Sequence, residues 1–567
     1  MIQFEKENEL NEKINKLKKI TRILSIIRLI LALNAIIWLI VGLSYVGIYI
    51  LVAAISALVL ILAFIFTNKY YNDLSLALKK SDVYLSHKRR RKLEMSYFSD
   101  DGREFLDKED YKLADLDIFG SHSLYQYINV SKSKLGRIML AESLKGKEPK
   151  DLRTRNSAMA FVDEKTLDLE ASLLEFKQNT KSIDYDEYKS VLSKKIKITP
   201  LSFVSLLLFI TSVVYLIVAL INHYTLYPLI LIVFATILSS KLLNNNEVFM
   251  LDAFKYYELS KAYLNVSKTI LNLDYDDPYY NSLKDDIKNN IKPLKNMEGL
   301  YLTLSSRRNL IFNLLLNIFA YDFFLSLVYN FKVKKVTDLT NLFESVAKIE
   351  VIASFAIIGI DNEIYSIPEE SSNIEAKDIY HPLVKNCVPN DFKLEGGVIL
   401  TGSNMSGKTT FMRTIGINQV LFNAGGLVCA KSFKSLYLPI YTSLRANDML
   451  KEGISTFYAE ILRMKKANEG IKEGKSLILI DEIFKGTNAY ERISASFKVI
   501  DKFNEYKALF IISSHDFELC DAKNILNYHF SEYYNDDNKI AFDYKIKEGK
   551  CETKNALYLL KMANIID

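Results

Sequence analysis

A glycine-rich segment in the last third of the chain carries the clearest chemistry. It follows the apolar run 398–400 and has the spacing G-x-x-x-x-G-K-[ST], which is typical of loops that bind the phosphates of a nucleoside triphosphate. Glycines let successive backbone N–H groups point at a phosphate, and the following helix offers its positive N-terminal end. The expected phosphate contacts are Gly402, Ser403, Asn404, Met405, Ser406, Gly407, Lys408, Thr409 and Thr410. Among them, Lys408 is expected to reach the β- and γ-phosphates, and the Thr409 hydroxyl to bind Mg²⁺.

Two further apolar runs end in groups that suit phosphate transfer. Residues 477–480 are all aliphatic and lead into Asp481 and Glu482, which indicates a buried parallel strand whose tip faces the phosphates. We expect Asp481 to hold Mg²⁺ through its water shell and Glu482 to orient or deprotonate the attacking water. Residues 508–512 lead towards His515, which would contact the γ-phosphate or its water; the alternative is a surface histidine in a turn. The expectation that the nucleotide is hydrolysed, and not only bound, depends on Glu482.

Length and composition allow several domains. The chain has 567 residues, 49% of them hydrophobic, and a net charge of +6, which is compatible with nucleic acid or anionic lipid as partner and requires neither. The cysteines contain no C-x-x-C pair, so neither a zinc site nor a disulfide framework is indicated. They are Cys387, Cys429, Cys520 and Cys551.

Two apolar blocks, at residues 23–66 and 200–243, predict transmembrane hairpins. Each block divides into two halves of about twenty residues, the length that a helix needs to cross the hydrocarbon core. The presumed turns lack Lys and Arg, whereas lysines flank both blocks, so the positive-inside rule places the N- and C-termini in the cytoplasm. The prediction is a multi-pass protein of a bacterial-type cytoplasmic membrane. The alternative is that these are buried helices of a soluble protein.

Two other segments allow more than one interpretation. The apolar stretch 310–329 contains Asp322, which would be costly inside a bilayer, so we expect a buried cytoplasmic helix there. The basic run 87–92 could contact lipid head groups, bind nucleic acid, or form a solvated helix face that reinforces topology.

The motifs of the C-terminal region closely resemble those of the MutS mismatch-repair ATPases. The loop is similar to T-G-P-N-M-x-G-K-S, with Ser403 in place of proline. The other matches are Ser455, Thr456, Phe457 and Glu460 to S-T-F-x-x-E; Asp481, Glu482, Gly486 and Thr487 to D-E-x-x-x-G-T; His515, Glu518 and Leu519 to T-H-x-x-E-L; and His381 with Pro382 to the opening His-Pro pair. Segments 116–119, 133–137 and 346–354 resemble the family's core and lever more loosely.

The resemblance implies an α/β P-loop NTPase domain of the ABC type, which binds ATP and Mg²⁺ and works as a homodimer. Ser455 would reach the γ-phosphate bound by the partner subunit, so each site is completed in trans. Before this domain we expect a mainly helical core and lever region with transmembrane helices. The expected divisions are a tail and first hairpin at 1–70, a cytoplasmic helical segment at 71–198, a second hairpin at 199–243, a helical lever at 244–375 and the ATPase domain at 376–567.

Two features of this sequence differ from the MutS pattern, and they determine the functional hypothesis. We see no mismatch-reading module, and the second hairpin interrupts the lever near the position of the family's DNA-gripping clamp. The sequence therefore favours a membrane-anchored ATPase whose head closure signals to the hairpins or to an unknown protein partner. The main alternative is an ATP-gated protein that binds mismatched or branched DNA at the membrane. An ABC transporter is disfavoured, because the hairpins contain few polar residues to line a substrate path.

Overall fold

The computed structural model describes most of the chain, and the structural statements below concern those parts alone. The described residues are 7–44, 48–107, 109–146, 153–176, 202–222, 227–242, 247–296, 320–333, 339–403, 405–445, 456–484, 487–534 and 540–551.

Helices make up the N-terminal two thirds of the described chain, and strands first occur after residue 368. The helices are α1 (Glu7–Ser44), α2 (Ile48–Arg91), α3 (Tyr111–Asp115), α4 (Leu124–Ile128), α5 (Lys134–Lys145), α6 (Arg153–Ala160), α7 (Thr166–Leu173), α8 (Ser202–Asn222), α9 (Tyr227–Leu242), α10 (Glu247–Asn272), α11 (Pro278–Asn290), α12 (Tyr321–Val333), α13 (Thr340–Asp361), α14 (Lys408–Ala424), α15 (Thr456–Glu473) and α16 (Ala489–Glu505). The strands are β1 (Glu369–Glu370), β2 (Ile374–Ile379), β3 (Asn390–Leu394), β4 (Gly397–Thr401), β5 (Ser432–Ser435), β6 (Ile440–Ser443), β7 (Leu477–Asp481), β8 (Leu509–Ser513), β9 (Ile525–Tyr534) and β10 (Ile540–Glu548).

Helices α1 and α2 form an antiparallel hairpin in which side chains of α2 contact the charged Arg28 of α1. Arg28 interrupts the apolar run of α1, and its Nε donates to Thr67 Oγ1 at 2.6 Å. Its guanidinium also lies 4.4 Å from the ring centroids of Phe64 and Tyr71, so aromatic faces of α2 cover the cation. The partner helix therefore accommodates a charge that would be costly if it faced lipid alone.

Of the described helices, α1 and α2 are the two that are long and apolar enough to cross a membrane. Their most apolar 18-residue windows are 0% and 11% buried, so the alternative of buried core helices does not hold in the described structure. The second predicted hairpin is α8 with α9, of which the apolar stretches Phe203–Ala219 and Pro228–Ile237 are described. Among the described helices the first hairpin thus meets the length criterion of about 20 residues, and the second stays a prediction.

The expectation of a buried helix over 310–329 is wrong for its described part. Helix α12 covers Tyr321–Val333, and it buries Phe323 but exposes Phe324, Leu327, Val328 and Phe331. Residues 310–319 lie outside the described part of the chain. The charge of Asp322 argued for a buried cytoplasmic helix, but the described residues leave several apolar side chains of this helix exposed.

Three side chains of the basic run 87–92 form a packed junction, whereas Lys88 and Lys92 are exposed. His87 and Arg90 are buried, and Arg91 Nε donates to Asp361 Oδ1 at 2.9 Å, at the end of α13. The two imidazole nitrogens of His87 lie 2.7 Å from Asp361 Oδ2 and 3.1 Å from Glu170 Oε1. Burial alone would lower the pKa of His87, but the two carboxylates more than offset it and raise the pKa to about 9. The lipid, nucleic-acid and solvated-face interpretations therefore do not describe these three side chains.

Helix α13 is the central element of the helical core. It is buried from Val346 to Ile360 apart from Lys348, and Phe343 stacks on Tyr263 of α10 with centroids 3.7 Å apart. Its buried Glu350 accepts a hydrogen bond from Ser133 Oγ at 2.9 Å, where α5 begins. Burial raises the pKa of Glu350 to about 7. One helix thus connects α5, α10 and, at Asp361, the end of the first hairpin.

The C-terminal part contains two sheets. The larger has the order β10-β9-β4-β8-β7-β6, in which every pairing is parallel except β10 with β9. The smaller has the order β1-β5-β2-β3. The strands β4, β7 and β8 are buried and nearly all aliphatic, as strands covered on both faces are. Because they are parallel, their carboxyl ends meet at one edge of the sheet.

Candidate functional site

The glycine-rich loop connects β4 to α14 at that carboxyl edge. Gly402 has φ +141°, and a Cβ there would lie 2.7 Å from the Phe530 carbonyl oxygen, so this position requires glycine. Gly407 has φ +105° and immediately precedes α14, which begins at Lys408. The loop therefore turns sharply and delivers the chain into the start of a helix, the geometry that favours an anion.

Lys408 is folded back over the loop. Its Nζ donates to the carbonyl oxygens of Gly402 at 2.8 Å and Ser403 at 2.9 Å. Burial lowers the pKa of Lys408, and the carboxylates of Asp481 and Glu482 partly oppose that shift. The Ser406 hydroxyl oxygen is buried and has no hydrogen-bond partner among the described residues. Both side chains are therefore placed to interact with anionic oxygens.

Asp481 joins three segments of the site at the tip of β7. The Thr409 hydroxyl donates to Asp481 Oδ2 at 2.7 Å, and the Ser513 hydroxyl donates to the other carboxylate oxygen. Asp481 and Ser513 are direct partners in the parallel pairing of β7 with β8. This places a carboxylate and a threonine hydroxyl together beside the loop, a pair of oxygen ligands of the kind that Mg²⁺ prefers.

Glu482 and His515 lie together at the same edge. His515 Nε2 is 3.3 Å from Glu482 Oε1, and both side chains are partly exposed. Glu482 has φ +57°, and its N–H donates to the Ser513 carbonyl oxygen at 3.1 Å. On the turn that carries His515, Asp516 accepts two 2.7 Å hydrogen bonds from Arg492. The turn is thereby held against α16.

A cavity of about 490 Å³ lies between the loop and the small sheet. Its far wall is the segment 384–388 with Asn390, and Tyr544 of β10 lies across from it. Asn390 Nδ2 donates to the Tyr544 carbonyl oxygen at 3.0 Å, and Asn390 Oδ1 accepts from Ile546 N at 2.8 Å. One buried amide therefore fixes the β10 irregularity where Tyr544 has φ +53°.

The structure brings most of the expected site residues together. Gly407, Lys408, Thr409, Thr410, Asp481 and Glu482 line the cavity with Ser403 and Met405, and His515 adjoins Glu482. Met405 is highly exposed. Asn404, Ser455 and Gly486 lie outside the described residues, so their expected roles stay predictions. His381 is buried away from the cavity, and burial lowers its pKa to about 4.

Residues 398–567 match the family model described as MutS domain V. The C-terminal region of this chain belongs to the MutS family. Curated proteins named DNA mismatch repair protein MutS are similar over the same part. Those of Persephonella marina and Acetivibrio thermocellus are 30% identical over 237 residues and 33% identical over 259 residues. That of Leptospira interrogans is 32% identical over 216 residues.

The likeness to MutS covers part of each protein. The three alignments span 39%, 42% and 35% of this chain, and 27%, 29% and 25% of the respective relatives. The chain thus matches less than a third of the length of these MutS proteins. Both long apolar helices, α1 and α2, lie well before the region that matches the MutS domain V model.

The MutS domain contains contacts that motif reasoning did not supply. Ser403, which stands where the family motif has proline, donates a hydrogen bond to Glu532 of β9. Phe530 was also missed as part of the site, because it stands far from the loop in sequence. The position of Ser513 beside Asp481 could have been predicted from the sequence. Ser513 follows an apolar run as Asp481 does, and parallel strands of equal length place such positions side by side.

Proposed function

We propose that this chain is a membrane-anchored ATPase in which a MutS-type domain binds and hydrolyses ATP and signals to the membrane through the helical core. The observation that carries the proposal is the meeting of the glycine-rich loop, the Thr409–Asp481 pair and the Glu482–His515 pair at one sheet edge, around one cavity. A strand, loop and helix of this kind suit phosphate binding, and acidic groups at neighbouring strand tips suit phosphoryl transfer.

The residues fit a nucleotide with Mg²⁺. The Ser406 hydroxyl, which has no partner in the described part of the chain, and the buried Lys408 suit phosphate oxygens. Thr409 with Asp481 would hold the metal, Asp481 through water. Bound Mg²⁺ would supply neutralisation of charge that develops on the phosphates. Glu482 would orient or deprotonate the attacking water, and His515 would hydrogen-bond that water or the γ-phosphate. Segment 384–388 and Tyr544 would hold the base.

The helical core contacts the site through a cluster of ion pairs. Arg413, five residues after Lys408 on α14, lies 3.3 Å from Asp117 Oδ2, and Arg445 donates to both Asp117 oxygens at 2.7 Å. Arg463 of α15 donates to the buried Asp115 at 2.8 Å. These contacts attach the end of α3 directly to the helix that follows the phosphate loop.

The other end of the core contacts the first hairpin. Asp361, the last residue of α13, binds His87 and Arg91 of α2, some twenty residues beyond the apolar stretch that ends at residue 66. A rearrangement at α14 would therefore reach α2 through packed helices and buried ion pairs. We propose that closure of two MutS heads in a homodimer, with Ser455 acting in trans, is the rearrangement that travels along this route to the hairpins or to a protein partner.

ATP turnover by detergent-purified protein tests the enzymatic part of the proposal. Glu482→Gln should lower turnover by about 100-fold or more, since general-base groups contribute on that scale, while ATP binding is retained. Lys408→Ala should weaken binding as well. Lys465→Ala, which removes an exposed lysine of α15, is the matched control and should hydrolyse ATP at the wild-type rate. Equal rates in all four proteins would refute the enzyme proposal.

A second candidate is ATP-gated binding of mismatched or branched DNA at the membrane. The name of its relatives, DNA mismatch repair protein MutS, favours it, whereas the burial of His87 and Arg90 and the pairing of Arg91 with Asp361 remove three side chains of the basic run from its support. Retention of such DNA that weakens steeply with salt would favour this candidate. No retention even at low ionic strength would count against it.

A further inference from the structure

A buried arginine of the helical core lies at the far end of the helix that follows the phosphate loop. Arg155, on α6, is 4% exposed, and its Nη2 donates to the Phe422 carbonyl oxygen at 2.8 Å. Its guanidinium carbon lies 4.1 Å from the centroid of the Phe422 ring. Phe422 belongs to the last turn of α14, whose first residue is Lys408. Arg155 therefore contacts α14 at the end opposite to the phosphate loop.

The end of α14 stabilises the charge of Arg155. An α-helix carries partial negative charge at its C-terminal end, where the last carbonyl groups have no partner within the helix. The guanidinium Nη1 also lies 3.5 Å from the Pro368 carbonyl oxygen, so in the described part of the chain Arg155 donates to main-chain oxygens. Burial lowers the pKa of Arg155 to about 10, and the charge of Glu370 opposes that shift. The group is therefore still a cation at neutral pH.

The same end of α14 is packed against α13. A Cβ on Gly426, two residues after α14 ends, would lie 2.7 Å from the Phe355 ring of α13. A Cβ on Gly359 of α13 would in turn lie 2.5 Å from a methyl carbon of Val162, two residues after α6 ends. Contacts as close as these leave no room for a side chain larger than that of glycine. Helices α6, α13 and α14 thus meet at one place.

Helix α6 is also fixed to the rest of the helical core. Ser157 donates to Asp277 Oδ1 at 2.5 Å, and the same oxygen accepts from Tyr280 N at 2.7 Å, where α11 begins. Helix α14, in contrast, is fixed within the MutS domain, since Asn423 Nδ2 donates to the Leu438 carbonyl oxygen at 2.7 Å. Arg155 therefore joins a helix of the core to a helix of the MutS domain.

We infer that Arg155 is a positioning residue of the nucleotide site, which holds the end of α14 against the core so that the phosphate loop and Lys408 are correctly placed for ATP. The inference rests on the proposed function, because it takes the start of α14 to bind the phosphates. Arg413 attaches the first half of α14 to Asp117, and Arg155 attaches its last turn. Held near both ends, this continuous helix of 17 residues transmits a displacement at the loop to α6 and α13.

Binding of AMP-PNP, a non-hydrolysable ATP analogue, with Mg²⁺ to the full-length protein in detergent tests the inference. Arg155→Met removes the charge and the donors and keeps an unbranched side chain. Arg155→Lys keeps the charge but loses the planar group that stacks on Phe422. Arg153→Met is the matched control, because Arg153 is an exposed arginine of the same helix. Calorimetric titration gives each dissociation constant, at a temperature where thermal unfolding curves show the protein to be folded.

The inference predicts that Arg155→Met weakens AMP-PNP binding about tenfold and Arg155→Lys about threefold, the scale of coupling through packed networks, while Arg153→Met binds as the wild type does. A role in stability alone would lower the unfolding temperature and leave the dissociation constant of the folded protein unchanged. Wild-type affinity in folded Arg155→Met therefore overturns the inference, as does equal weakening in Arg153→Met.

The second variant decides the question if Arg155→Met does not fold. Binding by Arg155→Lys that is about threefold weaker then supports the inference, and wild-type affinity overturns it. The wild-type protein separates the two proposals. When it binds AMP-PNP and the Arg155 variants bind equally well, the role of Arg155 is refuted and nucleotide binding stands. Wild-type protein that does not bind AMP-PNP refutes both.

Discussion

Thr409 and Asp481 show how the site depends on single side chains. Seventy-two residues separate them, yet the hydroxyl donates to the carboxylate at 2.7 Å because β4 and β7 end at the same edge of the sheet. Ser513 holds the other carboxylate oxygen, so the orientation of Asp481 is fixed from two sides. Each of these contacts depends on one side chain, so single substitutions can test the contribution of each group to catalysis.

Thr409→Val removes the hydroxyl and keeps the shape of the side chain. We expect the Mg²⁺ concentration for half-maximal ATP turnover to rise about 10–100-fold, which is the usual effect of losing a group that orients or contacts a metal. A magnesium titration of the steady-state rate measures it. Thr269→Val is a suitable control, since that hydroxyl donates to the Asn265 carbonyl oxygen within its own helix, α10. An unchanged magnesium requirement in Thr409→Val would remove Thr409 from the metal site.

Sequence reasoning reached those parts of the site that are contiguous or end an apolar run. The loop 402–409 and the tips at Asp481 and His515 follow from strand and turn chemistry within a few residues of each other. The Asn390 contacts with Tyr544 and Ile546 did not follow, because they join segments 154 and 156 residues apart through a single amide. The Ser403 bond to Glu532 depends in the same way on which strand lies beside the loop.

At the level of elements, the charge pattern of the sequence did not predict the junction of α2 with α13. A run such as 87–92 indicates a solvated surface when its partners are distant in sequence. Here the partners of His87 are Glu170 and Asp361, 83 and 274 residues away. Helix α12 shows the converse, since its sequence is apolar enough for burial but Phe324, Leu327 and Val328 are exposed in the described fold. Periodicity predicts which face is apolar, and tertiary neighbours decide what covers it.

The junction makes stability depend on pH. The folded-state pKa of His87, about 9, lies above its ordinary value of 6.5. Protonated His87 therefore stabilises the fold fully below pH 6.5, and the contribution is lost as the pH rises towards 9; it amounts to about 3 kcal/mol, at 1.36 kcal/mol per pKa unit. Thermal unfolding of detergent-solubilised protein between pH 6.5 and 9.5 should show a falling midpoint.

Replacement of the imidazole should abolish most of that slope. His87→Gln is expected to be less stable at pH 6.5 and nearly insensitive to pH up to 9.5, because it removes the titrating imidazole while Asp361 keeps Arg91 as its partner. His122→Gln removes an exposed histidine and should keep the wild-type slope. If His87→Gln retained the full pH dependence, the slope would arise elsewhere and the His87 assignment would be wrong.

At the scale of the whole molecule, the proposal requires two copies of the chain. Lys408→Ala disables the loop of its own subunit but leaves Ser455 available to a partner, and Ser455→Ala does the reverse. Each homodimer should hydrolyse ATP poorly, whereas a mixture of the two should regain a measurable part of the wild-type rate, because a mixed dimer contains one complete site. Turnover of the mixture against each variant alone measures this. A mixture no more active than its components would contradict completion of the site in trans.

The central claim joins ATP hydrolysis to membrane anchoring, and one flotation experiment tests both. Full-length wild-type protein and Glu482→Gln are reconstituted into liposomes, washed at alkaline pH, floated through a density gradient, and assayed for ATP hydrolysis in the lipid fraction. The account predicts that both proteins float with the lipid and that hydrolysis there is at least about 100-fold faster for the wild type. Protein that remains at the bottom of the gradient, or floated wild type no more active than Glu482→Gln, would contradict it.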